Sequence, residues 1–466
     1  MKNISPGKVF VIILISGLLF VALLLVPQNG FKIILPKLSD FIPQKIEEIP
    51  INTDRVTYLK NVSENDSVIV RKAAAEIKLL ENEKILHSND FDNEMASFYK
   101  KIINLQGKDT LVRVLHFGDS QIEGDRVTGV IRNALQKEYG GCGVGFLPVS
   151  ENRVHRLNVK KTVDGWKKYK VFGMKQKANH DRYGFTGYVH EVSPENTSAS
   201  IEVRSNKKYY KTSQRWNKLS ILYQSKGKEV PFKVTNINST VVASNFSNSA
   251  YGLVQRNTYW NKDTAVSAQI IEVEKADSVE VYGISLDCMH GIAVDNVAMR
   301  GSSGLEFSKL DRRNFQNQIK HLNVGLIIYH FGVNVIPGVL DDYRFYENLV
   351  YKQLKILREV APGASILVIG VSDMAKKEGK GYVSYPNIAK VKKAQRRAAK
   401  RAGCAFWDLQ QVMGGEDSMV NWVSSDPPLA EKDYTHFNGR GARVIGNKLF
   451  EAIQLDFKEF KNFQIN

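Results

Sequence analysis

The clearest pattern in the chain is a set of short, continuous apolar runs separated by stretches with helical periodicity. Such runs begin at five positions, which are Leu111, Ile292, Val324, Ser365 and Ala405. Continuous apolar runs are typical of strands that are buried on both faces of a parallel sheet. Between them, apolar side chains recur every three or four residues, as in residues 121–139 and 341–360, and this spacing predicts helices. The chain therefore predicts an α/β fold, a parallel sheet with helices on both faces.

Residues 151–286 have a different pattern. Short strand-like runs alternate there with clusters of Asn, Ser, Gly and Lys, and long helical periods are absent from the sequence. Many short strands at this spacing predict an antiparallel β-sandwich, which we expect to be jelly-roll-like. Because strand–helix alternation resumes after this segment, the α/β domain is predicted in two pieces, residues 88–150 and 287–466. The β-module, residues 151–286, is then an insertion.

The N-terminal segment predicts a membrane anchor. Residues 9–26 form an uncharged, mostly apolar run of 18 residues, preceded by Lys2 and Lys8. A helix of that length spans about 27 Å, close to the hydrocarbon thickness of a bilayer. The two lysines place the N-terminus in the cytoplasm. We expect residues 1–27 to be an uncleaved transmembrane anchor and residues 28–87 a stalk, with a cleaved signal peptide as the alternative.

Composition and charge limit the number of domains and the classes of partner that the protein can have. A length of 466 residues suits two or three domains, and 43% apolar and 24% charged residues are ordinary for a folded protein. The net charge of +17 indicates an anionic surrounding, such as a cell envelope. No nucleic-acid-binding motif accompanies it, so we expect no nucleic-acid partner. Cys142, Cys288 and Cys404 lack metal-ligand spacing, which leaves one disulfide with a free thiol, or three free thiols.

Chemistry is concentrated at the ends of the predicted strands. Ser120 follows the first strand, in the turn Gly118-Asp-Ser120, at the predicted start of a helix where backbone N–H groups are unpaired. Three further blocks follow later strands or precede the last helix: Arg300-Gly301-Ser-Ser-Gly304, Gly332-Val-Asn334 and Asp433-Tyr-Thr-His436. A serine, an Asp-x-x-His pair, glycine turns and a side-chain amide are what acyl transfer by a serine nucleophile requires. No metal or organic cofactor is implied.

Each block alone has a simpler interpretation. Gly118-Asp-Ser120 is an ordinary turn, Asp433 could cap a helix, and Asn334 could turn the chain. We interpret Asp119 as capping and orienting the Ser120 turn. His116 and His330, at strand ends, are interpreted as buried, hydrogen-bonded side chains.

Taken together and in this order, the four blocks resemble those of the SGNH (GDSL) hydrolases. The resemblance implies a flavodoxin-like sheet, a nucleophile at Ser120, a general base at His436 and an orienting acid at Asp433. It implies an oxyanion hole formed by the Ser120 N–H, the Gly304 N–H and the Asn334 amide, with Gly301 as the alternative glycine. One departure is Val335, because many relatives carry an acidic residue after the asparagine.

The long gap between the first two blocks resembles that of the envelope peptidoglycan O-acetylesterases, which carry a carbohydrate-binding-module-like β-domain there. This implies a serine esterase that acts outside the cytoplasm and removes O-acetyl groups from an envelope glycan, with peptidoglycan as the expected glycan. Two alternatives stay open. One is an O-acyltransferase that uses the same covalent intermediate, and the other is a catalytically silent glycan-binding anchor. Aromatic residues of the insert could stack on sugars, although most are expected in its core.

Overall fold

A computed structural model describes residues 83–88, 93–105, 110–151, 156–225, 230, 232–237, 243–246, 254–261, 265–274 and 279–465. The predicted anchor, residues 9–26, and nearly all of the predicted stalk lie outside these ranges. Within them, no helix combines the length and the apolar character that crossing a bilayer needs. The predicted membrane helix therefore stays a prediction.

The first elements lead to the Ser120 turn. They are helix α1 (Ala96–Ile103), strand β1 (Leu111–Gly118) and helix α2 (Thr128–Tyr139). The helix predicted from residue 121 begins only at Thr128, and a short 3-10 turn precedes it. Gly124 and Asp125 cause this delay, because their φ angles of 73° and 71° cannot continue a right-handed helix. Ser120 is thus followed by an irregular turn and not by a helix N-terminus.

An antiparallel β-module comes next in the chain. Its strands are β2 (Gly143–Leu147), β3 (Val159–Asp164), β4 (Trp166–Lys170), β5 (Tyr188–Val192), β6 (Ser198–Ser205), β7 (Lys218–Gln224), β8 (Lys233–Asn236), β9 (Ala243–Phe246), β10 (Val254–Trp260), β11 (Ala268–Glu274) and β12 (Glu280–Asp287). One sheet has the order β4-β5-β12-β7-β10-β9, with β2 paired to β12, and the other has the order β3-β6-β11-β8. Side chains of both sheets share one core around Trp216 and Tyr223. The antiparallel pairing begins at Gly143, ahead of residue 151.

The α/β alternation then resumes. The remaining elements are β13 (Gly291–Ala298), α3 (Arg312–Lys320), β14 (Val324–His330), α4 (Arg344–Val360), β15 (Ser365–Ile369), β16 (Ala375–Glu378), β17 (Gly381–Ser384), α5 (Ile388–Arg401), β18 (Ala405–Trp407), α6 (Leu409–Met413), α7 (Ser418–Ser424) and α8 (Gly439–Ile465). Strands β16 and β17 form a separate hairpin. The other five strands make a parallel sheet in the order β13-β1-β14-β15-β18.

This order is that of flavodoxin-like folds, as predicted, and its topological switch lies at β1. Alternate side chains of each parallel strand enter two cores. Val114, Ile328 and Leu367 face the core that includes α2 and α8, whereas Phe117 and Tyr329 face the core that includes α4 and α5. The carboxyl ends of β1, β13 and β14 consequently meet at one edge, where ligands bind in such sheets.

A disulfide joins Cys142 to Cys288, with a Cα–Cα distance of 5.0 Å, and the Cys404 thiol is free and buried. Of the two cysteine arrangements left open by the sequence, the structure has the one with a single disulfide. The bridge ties the residue before β2 to the residue after β12.

Candidate active site

Ser120, His436 and Asp433 form a continuous hydrogen-bonded chain. His436 Nε2 lies 2.7 Å from Ser120 Oγ, and His436 Nδ1 lies 2.7 Å from Asp433 Oδ2. Ser120 comes directly after β1, and His436 lies on the loop before α8, so that two sequence segments 316 residues apart meet at the carboxyl edge of the sheet. This is the arrangement of a nucleophile, a base and an orienting acid.

The Asp433 carboxylate also shapes the loop that carries His436. Its Oδ1 accepts the backbone N–H groups of Thr435 and His436, each at 3.0 Å. Tyr434 takes a φ of 55° within this turn. Burial acts to raise the pKa of Asp433, but the hydrogen bonds from His436 and Thr435 outweigh it and lower the pKa below its usual value. The group is therefore a carboxylate at neutral pH, as an imidazolium partner requires.

Two of the predicted oxyanion donors have an N–H group that is free to bind a ligand. Asn334 is exposed, and one N–H of its amide donates to Ser302 O at 2.8 Å, which leaves its second N–H. Among the described residues, the Ser120 backbone N–H has no acceptor, as an oxyanion donor requires. Both groups can thus face a developing negative charge.

The N–H of Gly304, the predicted backbone donor, has an acceptor in its own loop. Its N–H donates to Ser302 Oγ at 2.8 Å, and a Cβ at this position would lie 2.2 Å from Tyr329 Oη. Gly304 is therefore a glycine because the chain packs against Tyr329. Gly301, the alternative in the sequence, is exposed, and its N–H has no acceptor among the described residues. The choice between the two glycines as oxyanion donor stays a prediction, and Gly301 is the one whose N–H is open.

Asp119 connects the first and third blocks. This buried carboxylate accepts the N–H of Gln121 at 3.0 Å and the N–H of Gly332 at 3.1 Å. Burial raises its pKa to about 6, although these backbone hydrogen bonds act in the opposite direction. These contacts agree with the predicted role of Asp119, which is to cap and orient the Ser120 turn.

Two residues that the sequence did not single out join the Ser120 turn to the His436 loop. Gln121 donates to Thr435 O at 2.7 Å and accepts the Phe437 N–H at 3.3 Å, so its side chain contacts both neighbours of the base. Arg126 donates to Phe437 O at 2.9 Å and to Ser120 O at 2.6 Å. Neither residue could be recognised from the sequence, because both bond to backbone groups, which every residue has.

The two histidines at strand ends are buried, as predicted. His116 Nε2 lies 3.3 Å from His330 Nδ1, and His116 Nδ1 lies 3.0 Å from Thr128 Oγ1. Burial lowers the pKa of His116 well below its usual value and that of His330 to about 4. Both rings are consequently neutral packing groups beneath the Ser120 turn.

In the described part of the chain, one group of side chains has ligand atoms close enough for a metal ion, namely His180, Glu191 and Glu280. It lies in the β-module and not at Ser120. Arg182 donates to both oxygens of Glu280, with Nε 3.2 Å from Oε2, so that this carboxylate already has a cationic partner. The Ser120 site itself contains no such group among the described residues.

The fold, a flavodoxin-like parallel sheet with an inserted β-module, is the one that the sequence resemblance implies. A solved structure of a peptidoglycan O-acetylesterase superposes with a TM-score of 0.65 over 80% of this chain and 99% of that chain, at 22% identity. An acetyl xylan esterase covers 35% of this chain and 81% of its own, with a TM-score of 0.27 and 15% identity. No protein-family model and no curated protein matches the sequence.

Proposed function

We propose that the protein is a serine esterase that hydrolyses O-acetyl esters on a cell-envelope glycan, with peptidoglycan as the first substrate to test. The observation that carries the proposal is the chain from Ser120 Oγ through His436 to Asp433, with 2.7 Å at each step. In hydrolysis, Ser120 Oγ attacks the ester carbonyl while His436 Nε2 removes the hydroxyl proton. His436 then protonates the leaving sugar hydroxyl, and the acetyl group stays on Ser120.

Water completes the reaction by attacking the acetyl-enzyme, with His436 as its base, and acetate leaves. The negative charge that develops on the carbonyl oxygen in both steps meets the Ser120 N–H, the Asn334 amide and the backbone at Gly301. A single donor of this kind typically contributes about 3 kcal/mol to lowering the barrier. Asp433 keeps Nδ1 of His436 protonated and stabilises the imidazolium.

The glycan part of the proposal has separate support. The fold similarity to a peptidoglycan O-acetylesterase covers 80% of the chain, which is more than the residues outside the β-module make up, so it includes part of the module. A net charge of +17 suits an anionic envelope, and the predicted anchor would hold the protein there, facing outward. The module's large aromatic side chains give little support, because Trp216 and Tyr259 are buried in its core and Tyr183 is buried in the core shared with the α/β sheet.

The test is acetate release from O-acetylated peptidoglycan and from 4-nitrophenyl acetate by the wild type and by Ser120→Ala. We expect Ser120→Ala to lose at least 10³-fold in kcat on both substrates while its melting temperature is unchanged. Ser424→Ala, a change on an exposed helix, is the matched control. Retained activity in Ser120→Ala would refute the proposal, and transfer of acetyl to added glycan without acetate release would replace it with an acyltransferase.

A further inference from the structure

Arg300 lies beside the nucleophile at the carboxyl end of β13. Ala298 pairs with Gly118 in the parallel sheet, and the Met299 N–H donates to Gly118 O at 2.7 Å. Arg300 and Ser120 are therefore the second residues beyond a shared pair of strand ends. Arg300 also directly precedes Gly301.

A single hydrogen bond holds the Arg300 side chain in place. Its Nη1 lies 3.1 Å from Glu123 Oε2, and this is the one hydrogen bond of the guanidinium within the described residues. Glu123 is 13% exposed, whereas the Arg300 side chain is 59% exposed. The carboxylate thus fixes the direction of the guanidinium, and the remaining N–H donors face solvent.

Arg300 and Glu123 line a small pocket of about 20 Å³, and Tyr188, Glu151 and Arg156 line it as well. The Arg156 guanidinium is buried, pairs with Glu151 at 2.6 Å and donates to Asn296 O at 2.9 Å, and its Nη1 has no partner among the described residues. Of these two guanidinium groups, Arg300 is the exposed one, so its free N–H donors can be reached from solvent.

Arg126 is a second guanidinium near Arg300. It is partly buried, donates to the backbone carbonyls of Ser120, Glu123 and Phe437, and has no carboxylate within ion-pair distance among the described residues, while Glu123, Glu431 and Asp433 are its acidic neighbours. Burial raises the pKa of the Glu123 carboxyl, and the Arg300 and Arg126 cations act to lower it. The free N–H donors of Arg300 would attract an incoming anion.

We propose that Arg300 is a specificity-determining residue that binds a carboxylate of the substrate next to the scissile acetyl ester. This inference rests on the proposed esterase function and narrows the substrate to O-acetylated glycans that carry carboxylates. Planar guanidinium donors match the two oxygens of a carboxylate, and Glu123 holds the group ready for them. An ester without a carboxylate makes no such contact, so its binding does not depend on Arg300.

The experiment compares the wild type, Arg300→Gln and Arg300→Lys on three substrates. These are 4-nitrophenyl acetate, O-acetylated peptidoglycan fragments, and the same fragments with their carboxyl groups amidated. For the anionic fragments we expect Arg300→Gln to lower kcat/KM by about tenfold to a hundredfold through KM, the loss typical of one charge-assisted contact. Arg300→Lys should recover part of this loss, and all three proteins should hydrolyse 4-nitrophenyl acetate equally.

Amidation of the fragments should bring the wild type down to the level of Arg300→Gln. Arg312→Gln is the matched control, because Arg312 is also half-exposed and pairs with one carboxylate, Glu359. An equal loss of Arg300→Gln on the neutral ester would show a disturbed oxyanion loop and overturn the inference, as would wild-type rates that ignore amidation. A wild type without activity on any ester would instead refute the proposed function.

Discussion

The Gln121 side chain offers the sharpest test of how the site is held together. Its amide donates to Thr435 O at 2.7 Å and to Ser372 Oγ at 3.1 Å, and its carbonyl accepts the Phe437 N–H at 3.3 Å. Two of these three bonds contact the residues on either side of His436. Gln121→Leu keeps nearly the same volume and removes all three.

The magnitude follows from the number of bonds. A neutral hydrogen bond contributes about 1 kcal/mol net, so the two bonds to the His436 loop are worth about 2 kcal/mol. If the loop then populates positions in which His436 does not reach Ser120, the productive fraction falls by up to about thirtyfold, because 1.4 kcal/mol is a factor of ten. We expect kcat on 4-nitrophenyl acetate to fall about tenfold to thirtyfold.

The control separates this effect from general destabilisation. Gln136 is another buried glutamine, whose amide donates to Gly143 O at 3.2 Å and Ile292 O at 3.3 Å, away from the triad. Gln136→Leu should lower the melting temperature to a similar extent and leave kcat unchanged. If Gln121→Leu retained the wild-type kcat, or if both variants lost activity equally, the positioning role would be refuted.

Three further predictions follow from neighbouring contacts. Asn334→Ala should lower kcat by about a hundredfold, the loss of one oxyanion donor, with the melting temperature unchanged; an unaltered kcat would remove this residue from the oxyanion hole. Gly304→Ala should destabilise the protein by about 2 kcal/mol or more in denaturant unfolding, because a Cβ would lie 2.2 Å from Tyr329 Oη, whereas Gly301→Ala should mainly lower kcat. For Asp119, burial raises the folded-state pKa from 3.8 to about 6, so its ionisation costs stability as pH rises through this window. The free energy of unfolding of Asp119→Asn relative to the wild type should therefore rise by about 2 kcal/mol between pH 4 and pH 7, and a constant difference would contradict the shift.

Much of this architecture follows from apolar runs. The strands at 111–118, 291–298, 324–330 and 365–369 are buried on both faces. Such a strand needs apolar side chains at successive positions, and this makes it visible in the sequence. The four blocks were predictable for the same reason, because each stands where such a run ends or where the last helix begins. The role of Ser120, Asp433 and His436 in catalysis stays a prediction that their geometry supports.

Other features could not be predicted, because they depend on contacts between distant segments. Periodicity extends helix α2 back to residue 121, and only the positive φ of Gly124 and Asp125 interrupts it. The hydrogen bond from the Gly304 N–H to Ser302 Oγ and the packing of Gly304 against Tyr329 likewise depend on the folded loop. Gln121 and Arg126 contact backbone atoms more than 300 residues away, which leave no trace in the sequence.

The β-module is joined to the α/β fold by its two chain connections, a disulfide and buried ion pairs. Both of its connections lie beside β13, the edge strand, and the disulfide Cys142–Cys288 joins them. Buried Arg113 of β1 adds a second tie, since it pairs with Asp287 of the module and Asp295 of β13, each at 2.5 Å. The module also contacts the turn that follows Ser120, because the Leu157 N–H donates to Gly124 O at 3.1 Å and the Asn158 amide donates to Asp125 Oδ2 at 2.6 Å. The carboxyl end of β13, beside this turn, carries Arg300 and Gly301, to which the proposals above assign the substrate carboxylate and the oxyanion.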